Sequence, residues 1–163
     1  MKIILFISLM MVSVSTLAQD GKATTTKKTF SRTTEITQTI DADASVIWKL
    51  LTNASDYSRW NSTIISIEGN IEEGEKIKLK STLDSSRVFK LKVKEFVANE
   101  RLVWGDALGK RTYSLSQAHG KMVFSMHEKI GGLMFPLFAK KIPSFDESFE
   151  QFAADLKKEA ESN

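Results

Sequence analysis

The hydrophobic period of the chain changes partway along it, and this change constrains the fold more than any other feature. Between residues 64 and 130 apolar and polar residues mostly alternate, which is the period of strands that bury one face. Between Phe135 and Leu156 large apolar residues recur at intervals of three and four, which places them on one stripe of a helix. The pattern predicts an α+β domain in which a sheet packs against a C-terminal helix.

Seven segments are predicted to be strands, because each is β-branched or alternating and is bounded by turn residues. They are residues 33–40, 64–67, 76–82, 87–96, 101–104, 111–117 and 121–130. Turns of only a few residues separate the last six, including His119-Gly120. Connections this short require hairpins, so the sheet is predicted to be an antiparallel meander.

Two short helices are predicted between the first two strands. The first is an amphipathic helix of about ten residues that contains Val46, Ile47, Leu50 and Leu51, and an Asp of the preceding Asp41-Ala42-Asp43 is a favourable N-cap. The second covers about residues 53–60. At the C-terminal end Pro143 interrupts the apolar stripe, and Ser144 with Glu147 matches a capping box. A kinked or two-part helix over residues 133–141 and 144–161 is therefore expected.

The composition is that of a soluble globular domain, with 42% apolar and 26% charged residues. A formal charge of +3 is too small to indicate nucleic acid binding, and no nucleic acid partner is expected. The chain has no cysteine, which excludes disulfides, thiol catalysis and thiolate metal sites.

Residues 1–18 have the pattern of a secretory signal peptide. Lys2 precedes an apolar run of twelve residues, and Ala18 ends a small-residue cleavage site. The alternative is an uncleaved anchor, but about 20 apolar residues are needed to span a bilayer. We expect export to the periplasm or medium, a flexible lead-in over residues 19–31 and one domain over residues 32–161.

Several short motifs, in their order, resemble the START-like (SRPBCC) superfamily, in its polyketide cyclase/dehydrase and lipid-transport branch. They are Ile40 to Trp48 (IDADASVIW), Tyr57 to Asn61 (YSRWN), Ile67 to Gly69, Glu73-Gly74, Gly131 to Leu133, and Leu156-Lys157. The resemblance implies a helix-grip fold: a seven-stranded curved antiparallel sheet, two short N-terminal helices and a long C-terminal helix. It also implies a cavity for a small hydrophobic molecule, and it implies no fixed catalytic residues.

The candidate cavity lining consists of apolar residues on the inward-facing side of the strands and on the helical stripe. The candidates are Trp60, Phe89, Leu91, Trp104, Tyr113, Phe124, Met126, Phe138, Phe145 and Phe149. Pockets for apolar ligands have this composition, but the same residues would also fill a solid core. Spacing alone does not separate the two alternatives.

Few polar residues are candidates for chemistry. Tyr113 is suited to orient a ligand, or else is a core residue whose hydroxyl reaches the surface. Glu68, Asp106 and Glu128 are candidates for the mouth of the cavity. His119 and His127 are expected at the surface, and we expect no catalytic residue, no metal and no cofactor.

Six lysines alternate with apolar residues on two strands that are predicted to pair. They are Lys76, Lys78, Lys80, Lys90, Lys92 and Lys94. This lysine face is either a solvated outer surface or a weak contact site for an anionic membrane.

Three functions remain open. The first is an exported monomeric binding module for a small hydrophobic ligand, lipid-like or polyketide-like. The second is a cyclase or dehydrase, in which Tyr113 or a carboxylate at the mouth would transfer protons. The third is a protein-interaction domain with a solid core, as in chaperone-activator relatives of the fold.

Overall fold

Eight antiparallel strands form a single curved sheet, in a computed structural model that describes residues 19–162. Their order across the sheet is β1-β2-β8-β7-β6-β5-β4-β3. The strands are β1 Thr24–Lys28, β2 Ser31–Ile40, β3 Ile64–Glu68, β4 Lys76–Ser81, β5 Asp84–Val97, β6 Arg101–Gly105, β7 Gly109–Ala118 and β8 Lys121–Gly131. The predicted antiparallel meander is confirmed from β3 to β8, and β2 closes onto β8.

The number of strands is eight, so the prediction of seven was wrong. The additional strand is β1, which lies within the segment predicted to be a flexible lead-in and pairs with β2 from Thr24↔Glu35 to Lys28↔Ser31. Its residues are polar because it is an edge strand whose side chains are mostly exposed. The predicted signal peptide lies outside the described residues.

Four α-helices accompany the sheet within the described residues: α1 Ala44–Thr52, α2 Tyr57–Trp60, α3 Phe135–Phe138 and α4 Asp146–Ala160. Helix α1 follows Asp41-Ala42-Asp43 as predicted, but its N-cap residue, Asp43, makes no capping hydrogen bond through its side chain. None of the helices within residues 19–162 is long and apolar enough to cross a membrane.

The C-terminal helical region consists of two parts, as the position of Pro143 predicts. Helix α3 continues into a 3-10 turn over Ala139–Lys141, and Ile142 is extended. The predicted capping box does not form. Helix α4 starts at Asp146, where the Ser144 hydroxyl only weakly accepts the Asp146 N–H at 3.4 Å and donates to its carboxylate at 2.9 Å.

Helix α4 packs its apolar stripe into the concave face of the sheet. Phe149, Phe152 and Leu156 are almost fully buried there. The guanidinium of Arg32 on β2 fixes the preceding segment, because it donates to the carbonyls of Ile142 at 3.1 Å and of Pro143 at 2.7 Å. The sheet therefore holds the helix near its N-terminus as well as along its length.

Candidate ligand-binding site

A cavity of about 250 Å³ lies between the concave face of β3–β8 and the C-terminal segment over residues 138–152, which includes the first half of α4. The long strand β5 contributes Phe89 and Leu91, β6 contributes Trp104, and α4 contributes Phe149. The three strand residues point inward because strand side chains alternate between the two faces of the sheet, and Phe149 lies on the apolar stripe of α4. The cavity is open to solvent at the end of the sheet where α4 begins.

Seven of the ten candidate lining residues surround this cavity, and three do not. Those that surround it are Phe89, Leu91, Trp104, Met126, Phe138, Phe145 and Phe149. Trp60, Tyr113 and Phe124 lie instead in an aromatic layer behind it.

Phe152 separates the cavity from that aromatic layer. Its ring lines the cavity on one side and stacks on Tyr113 and Phe124 on the other, with centroid distances of 5.7 and 6.2 Å. Trp60 meets the Phe152 ring edge-on at 5.7 Å. The three candidates that do not line the cavity therefore form the support for its floor.

An ion pair between Arg111 and Glu128 lies in the wall of this otherwise largely apolar space. The two residues are directly opposite each other on β7 and β8, and Nε of Arg111 donates to Oε2 of Glu128 at 2.5 Å. Their side chains are only 19% and 15% exposed. The guanidinium also lies 5.1 Å from the centre of the Phe149 ring, so the pair is packed against α4 as well.

The ion pair leaves hydrogen-bonding capacity available to a ligand. The pair engages Nε and Nη2 of Arg111 and Oε2 of Glu128, which leaves Nη1 and Oε1 outside it. A guanidinium and a carboxylate together present one donor and one acceptor side by side. A ligand group that both accepts and donates a hydrogen bond fits this arrangement.

The Tyr113 hydroxyl lies beside the guanidinium but is not hydrogen-bonded to it. Among the described residues it is one of two buried polar side-chain atoms without a partner, the other being the indole N–H of Trp60. Burial raises the pKa of Tyr113 to about 12, although the positive charge of Arg111 opposes the shift. Burial would lower the pKa of Arg111, but Glu128 and Tyr113 outweigh this effect and the pKa is raised.

The mouth of the cavity is formed by three connecting segments. The tip of the β4–β5 hairpin contributes Leu83, the β6–β7 turn contributes Leu108, and the segment between α3 and α4 contributes Lys141. Two carboxylates at the mouth stabilise turns: Asp106 accepts from the N–H groups of Leu108 and Gly109, and Asp84 accepts from Ser86.

Comparison with protein families identifies the relatives of this domain. The model of the family described as "Activator of Hsp90 ATPase homolog 1-like protein" matches residues 41–161, which is most of the chain. The chain belongs to this family. Membership confirms the resemblance to the START-like (SRPBCC) superfamily that the sequence motifs indicated.

Solved structures of members of this fold superimpose on the chain at low sequence identity. MLL2253 from Mesorhizobium loti has a TM-score of 0.63 at 17% identity, with 81% of this chain and 98% of that chain covered. The Aha1 dimer from Colwellia psychrerythraea has a TM-score of 0.59 at 16% identity, with 78% and 94% covered.

DynU16, a protein from the dynemicin biosynthetic locus, has a TM-score of 0.60 at 11% identity over 76% of this chain. This chain spans 45% of the length of DynU16. At such identities the likeness shows the helix-grip fold alone. A search of curated proteins found no significant match.

Arg111 is a candidate ligand-binding residue that the sequence pattern did not indicate. Glu128 was considered only as a carboxylate at the mouth, whereas it lies in the cavity wall with a cationic partner. His119 is exposed in its turn, and His127 is half-buried on the sheet. Of the other two carboxylates considered, Asp106 lies at the mouth and Glu68 lies outside the cavity, paired with Lys78 at 3.2 Å. Within residues 19–162 no group of three potential metal ligands is found.

Proposed function

We propose that this protein is an exported binding module for a small hydrophobic ligand, lipid-like or polyketide-like, held between the sheet and α4. The observation that carries the proposal is an open cavity lined mainly by apolar side chains, with the Arg111–Glu128 ion pair in its wall and Arg87 and Lys141 among its other lining residues. Ligand pockets are typically apolar with a few placed polar groups, and this cavity has that composition.

The volume of the cavity limits the size of the ligand. About 250 Å³ is just below the range of about 300–1,000 Å³ for sites that enclose drug-sized molecules. A compact ring system would fit inside, whereas a long acyl chain would place only one segment there. The opening at the mouth allows the remainder of such a ligand to extend outward.

The ion pair favours a ligand whose polar group is neutral. Arg111 and Glu128 sum to no net charge, so an anionic head group would meet the Glu128 carboxylate as well as the guanidinium. Burying an additional charge in an apolar space is costly unless it is fully paired. A hydroxyl or a similar group accepts from Nη1 and donates to Oε1 without adding charge.

Native mass spectrometry of protein purified from its own source tests whether a ligand is present. A copurifying hydrophobic molecule with a neutral polar group is the expected result. Calorimetry with decanol and decanoate then tests the preference for a neutral head group, because the two differ only at that end. Tighter binding of decanoate would contradict the assignment of the ion pair as a neutral anchor.

A matched pair of variants on β5 tests whether the cavity is the binding site. Phe89→Ser changes the wall, whereas Val88→Ser changes the opposite, outward face of the same strand. We expect only Phe89→Ser to weaken binding of an apolar fluorescent probe. Equal binding by both variants, or no binding of any apolar probe by folded protein, would favour the solid-core alternative.

A cyclase or dehydrase activity is the second candidate. The presence of a carboxylate, Glu128, in the cavity wall favours it, but the hydrogen bonds of that carboxylate do not. General acid–base catalysis needs a group free to exchange a proton with the substrate. Glu128 is engaged by Arg111, and the other two carboxylates near the cavity, Asp84 and Asp106, hold turn residues. A copurified molecule that the protein converts to a new product would support this candidate over a carrier.

Export is part of the proposal and rests on the sequence of residues 1–18. We expect the native protein to begin at Gln19. N-terminal sequencing of protein isolated from its source measures this directly, and retention of Met1 would contradict it.

A further inference from the structure

Five of the large hydrophobic side chains that are exposed in the described chain gather at the cavity mouth. They are Phe30, Leu108, Leu133, Met134 and Leu137, which are 46–82% exposed. We call this surface the mouth patch. The fold brings three separate connections together there: the β1–β2 turn, the β6–β7 turn and the segment that follows β8.

Backbone hydrogen bonds show that these connections adjoin one another. The N–H of Gly131 donates to the carbonyl of Leu108, and the N–H of Gly132 donates to the carbonyl of Phe30, both at 3.0 Å. Gly132 has a φ of 137°, a value that side-chain-bearing residues rarely adopt, so it allows the chain to turn sharply from β8 into the patch. Leu108 also lines the cavity, which makes the patch continuous with the mouth.

Exposed lysines surround the mouth patch. They are Lys27, Lys28, Lys110, Lys129, Lys140 and Lys141, and we call them the rim lysines. Four carboxylates lie at the same end: Asp84 and Asp106 accept hydrogen bonds within their turns, Asp146 accepts the Thr25 hydroxyl, and Glu147 is exposed. The end of the molecule around the mouth is therefore both apolar and basic.

From this combination we propose that the mouth patch docks on an anionic lipid bilayer. Apolar side chains enter the boundary between head groups and acyl chains, and the rim lysines contact the anionic head groups. An apolar ligand would then pass between the bilayer and the cavity without crossing water. A bilayer is favoured over a protein partner because its anionic surface complements the basic rim.

The lysine face is less suited to this role than the mouth patch. Its lysines do lie on neighbouring strands, with Lys76 opposite Lys92 and Lys78 opposite Lys90. The exposed large hydrophobic side chains on these strands and on neighbouring β3 are Ile65, Val88 and Val97, at 38%, 50% and 42% exposure, and all three are less exposed than Phe30, Leu133, Met134 and Leu137 of the mouth patch. The lysine face therefore offers charge with a weaker apolar anchor than the mouth patch.

Cosedimentation of the purified protein with vesicles tests the proposal. The vesicles contain either phosphatidylcholine alone or phosphatidylcholine with phosphatidylglycerol, at low salt and at about 0.5 M, where the Debye length is roughly 4 Å. We expect binding to the anionic vesicles that weakens at high salt. Equal binding to neutral vesicles, or binding to neither, would overturn the proposal.

Three matched double variants, compared in the same background, locate the contact. Leu133→Asp with Leu137→Asp changes the patch, Lys28→Glu with Lys140→Glu changes the rim, and Lys76→Glu with Lys92→Glu changes the lysine face. The first two are expected to weaken binding at least tenfold, and the third less than twofold. All three pairs are exposed, and circular dichroism checks that each variant is folded.

The opposite ranking of these variants would assign docking to the lysine face and overturn the proposal. Sedimentation velocity without lipid tests whether the mouth patch instead binds a second copy of the chain. A dimer that dissociates in the Leu133→Asp, Leu137→Asp variant would assign the patch to that contact. A Leu137→Trp variant reports insertion, because Trp48, Trp60 and Trp104 are buried. A shift of its emission to shorter wavelength is expected with anionic vesicles alone. Since no added ligand is needed, failure of docking would leave the ligand-binding proposal intact.

Discussion

The two ends of the molecule differ in how completely they are packed. At the closed end, α1, α2 and the second half of α4 cover the sheet, and Leu51, Tyr57 and Leu156 have no exposed surface. At the open end, α3 and the turns around it leave a cavity, and several large apolar side chains face solvent.

Two buried polar side chains at the closed end are paired by hydrogen bonds. The Tyr57 hydroxyl, although fully buried, donates to the carbonyl of Leu51 at 2.7 Å. Asn61, also buried, receives the hydroxyl and the N–H of Thr63 at 2.6 and 3.0 Å. The two buried polar side-chain atoms without a partner in the described chain are the Tyr113 hydroxyl, in the aromatic layer behind the cavity, and the indole N–H of Trp60 on α2. The two ends therefore differ in packing rather than in hydrogen bonding, and the closed end provides the stability that allows the open end to remain incompletely packed.

The largest expected difference between the two ends is in side-chain truncation. Phe152→Ala removes a ring that contacts Trp60, Tyr113 and Phe124, so we expect the free energy of unfolding to fall by about 3–5 kcal/mol. Phe138→Ala at the mouth, where the ring is half-buried, should cost about 1 kcal/mol. Urea unfolding of both variants measures the difference. Similar losses would show that the mouth is as firmly packed as the closed end.

Breaking the Arg111–Glu128 pair should have the next largest effect. Glu128→Gln leaves a poorly solvated guanidinium without its counter-charge, and we expect a loss of about 3 kcal/mol, the low end for a buried pair. Arg111→Met combined with Glu128→Gln removes both charges and should recover most of that loss. A double variant no more stable than Glu128→Gln would show that packing of the arginine, rather than charge, dominates.

Most of the fold could be predicted from the sequence because the hydrophobic period reports which face of each element is buried. The seven predicted strands and both N-terminal helices are present, and Pro143 divides the C-terminal helical region as expected. β1 could not be predicted this way, since both faces of that polar edge strand are largely exposed. Strand β5 begins at Asp84 rather than 87, because backbone pairing with β4 continues through its polar residues.

The ion pair in the site was also encoded in the sequence, although it was not recognised. The His119-Gly120 turn pairs Ala118 with Lys121, with φ values of 52° and 76° at the two turn residues. Counting back along the hairpin from this register places Arg111 opposite Glu128, on the inward parity. By contrast, whether the surrounding residues close into a solid core depends on sheet curvature and on the path of the segment before α4, which periodicity does not report.

Alkaline pH should lower the stability of the fold through Tyr113, which lies in the aromatic layer between the two ends. The pKa of Tyr113 is raised by burial to about 12 from an ordinary value of 10.0, so the folded state favours the protonated hydroxyl. Its stabilising contribution is complete below pH 10 and is lost as the pH rises towards 12. Tyr113→Phe should therefore flatten the decline of stability over this range.

Spectroscopic titration provides the matching measurement. The chain has two tyrosines, and the pKa of Tyr57 is also raised by burial, so little tyrosinate absorbance should develop in folded protein near pH 10. Ionisation of one tyrosine near pH 10 that disappears in Tyr113→Phe would show that this hydroxyl reaches water.

Acidic pH should reduce stability through carboxylates at the closed end, and this is the smallest of the four effects predicted. The pKa of Asp56 is lowered because Arg59 donates two hydrogen bonds to it, at 2.7 and 2.8 Å. The pKa of Glu161 is lowered because the Asp41 N–H and the Lys157 ammonium donate to its carboxylate. A lowered pKa stabilises the fold above the ordinary carboxyl pKa of about 4, and this contribution is lost as the pH falls through the folded value. Because both carboxylates are near the surface, Asp56→Asn and Glu161→Gln should each cost less than about 1 kcal/mol at neutral pH and flatten the acid limb of stability against pH. An acid limb unchanged in the double variant would place the acid-sensitive groups elsewhere than at the closed end.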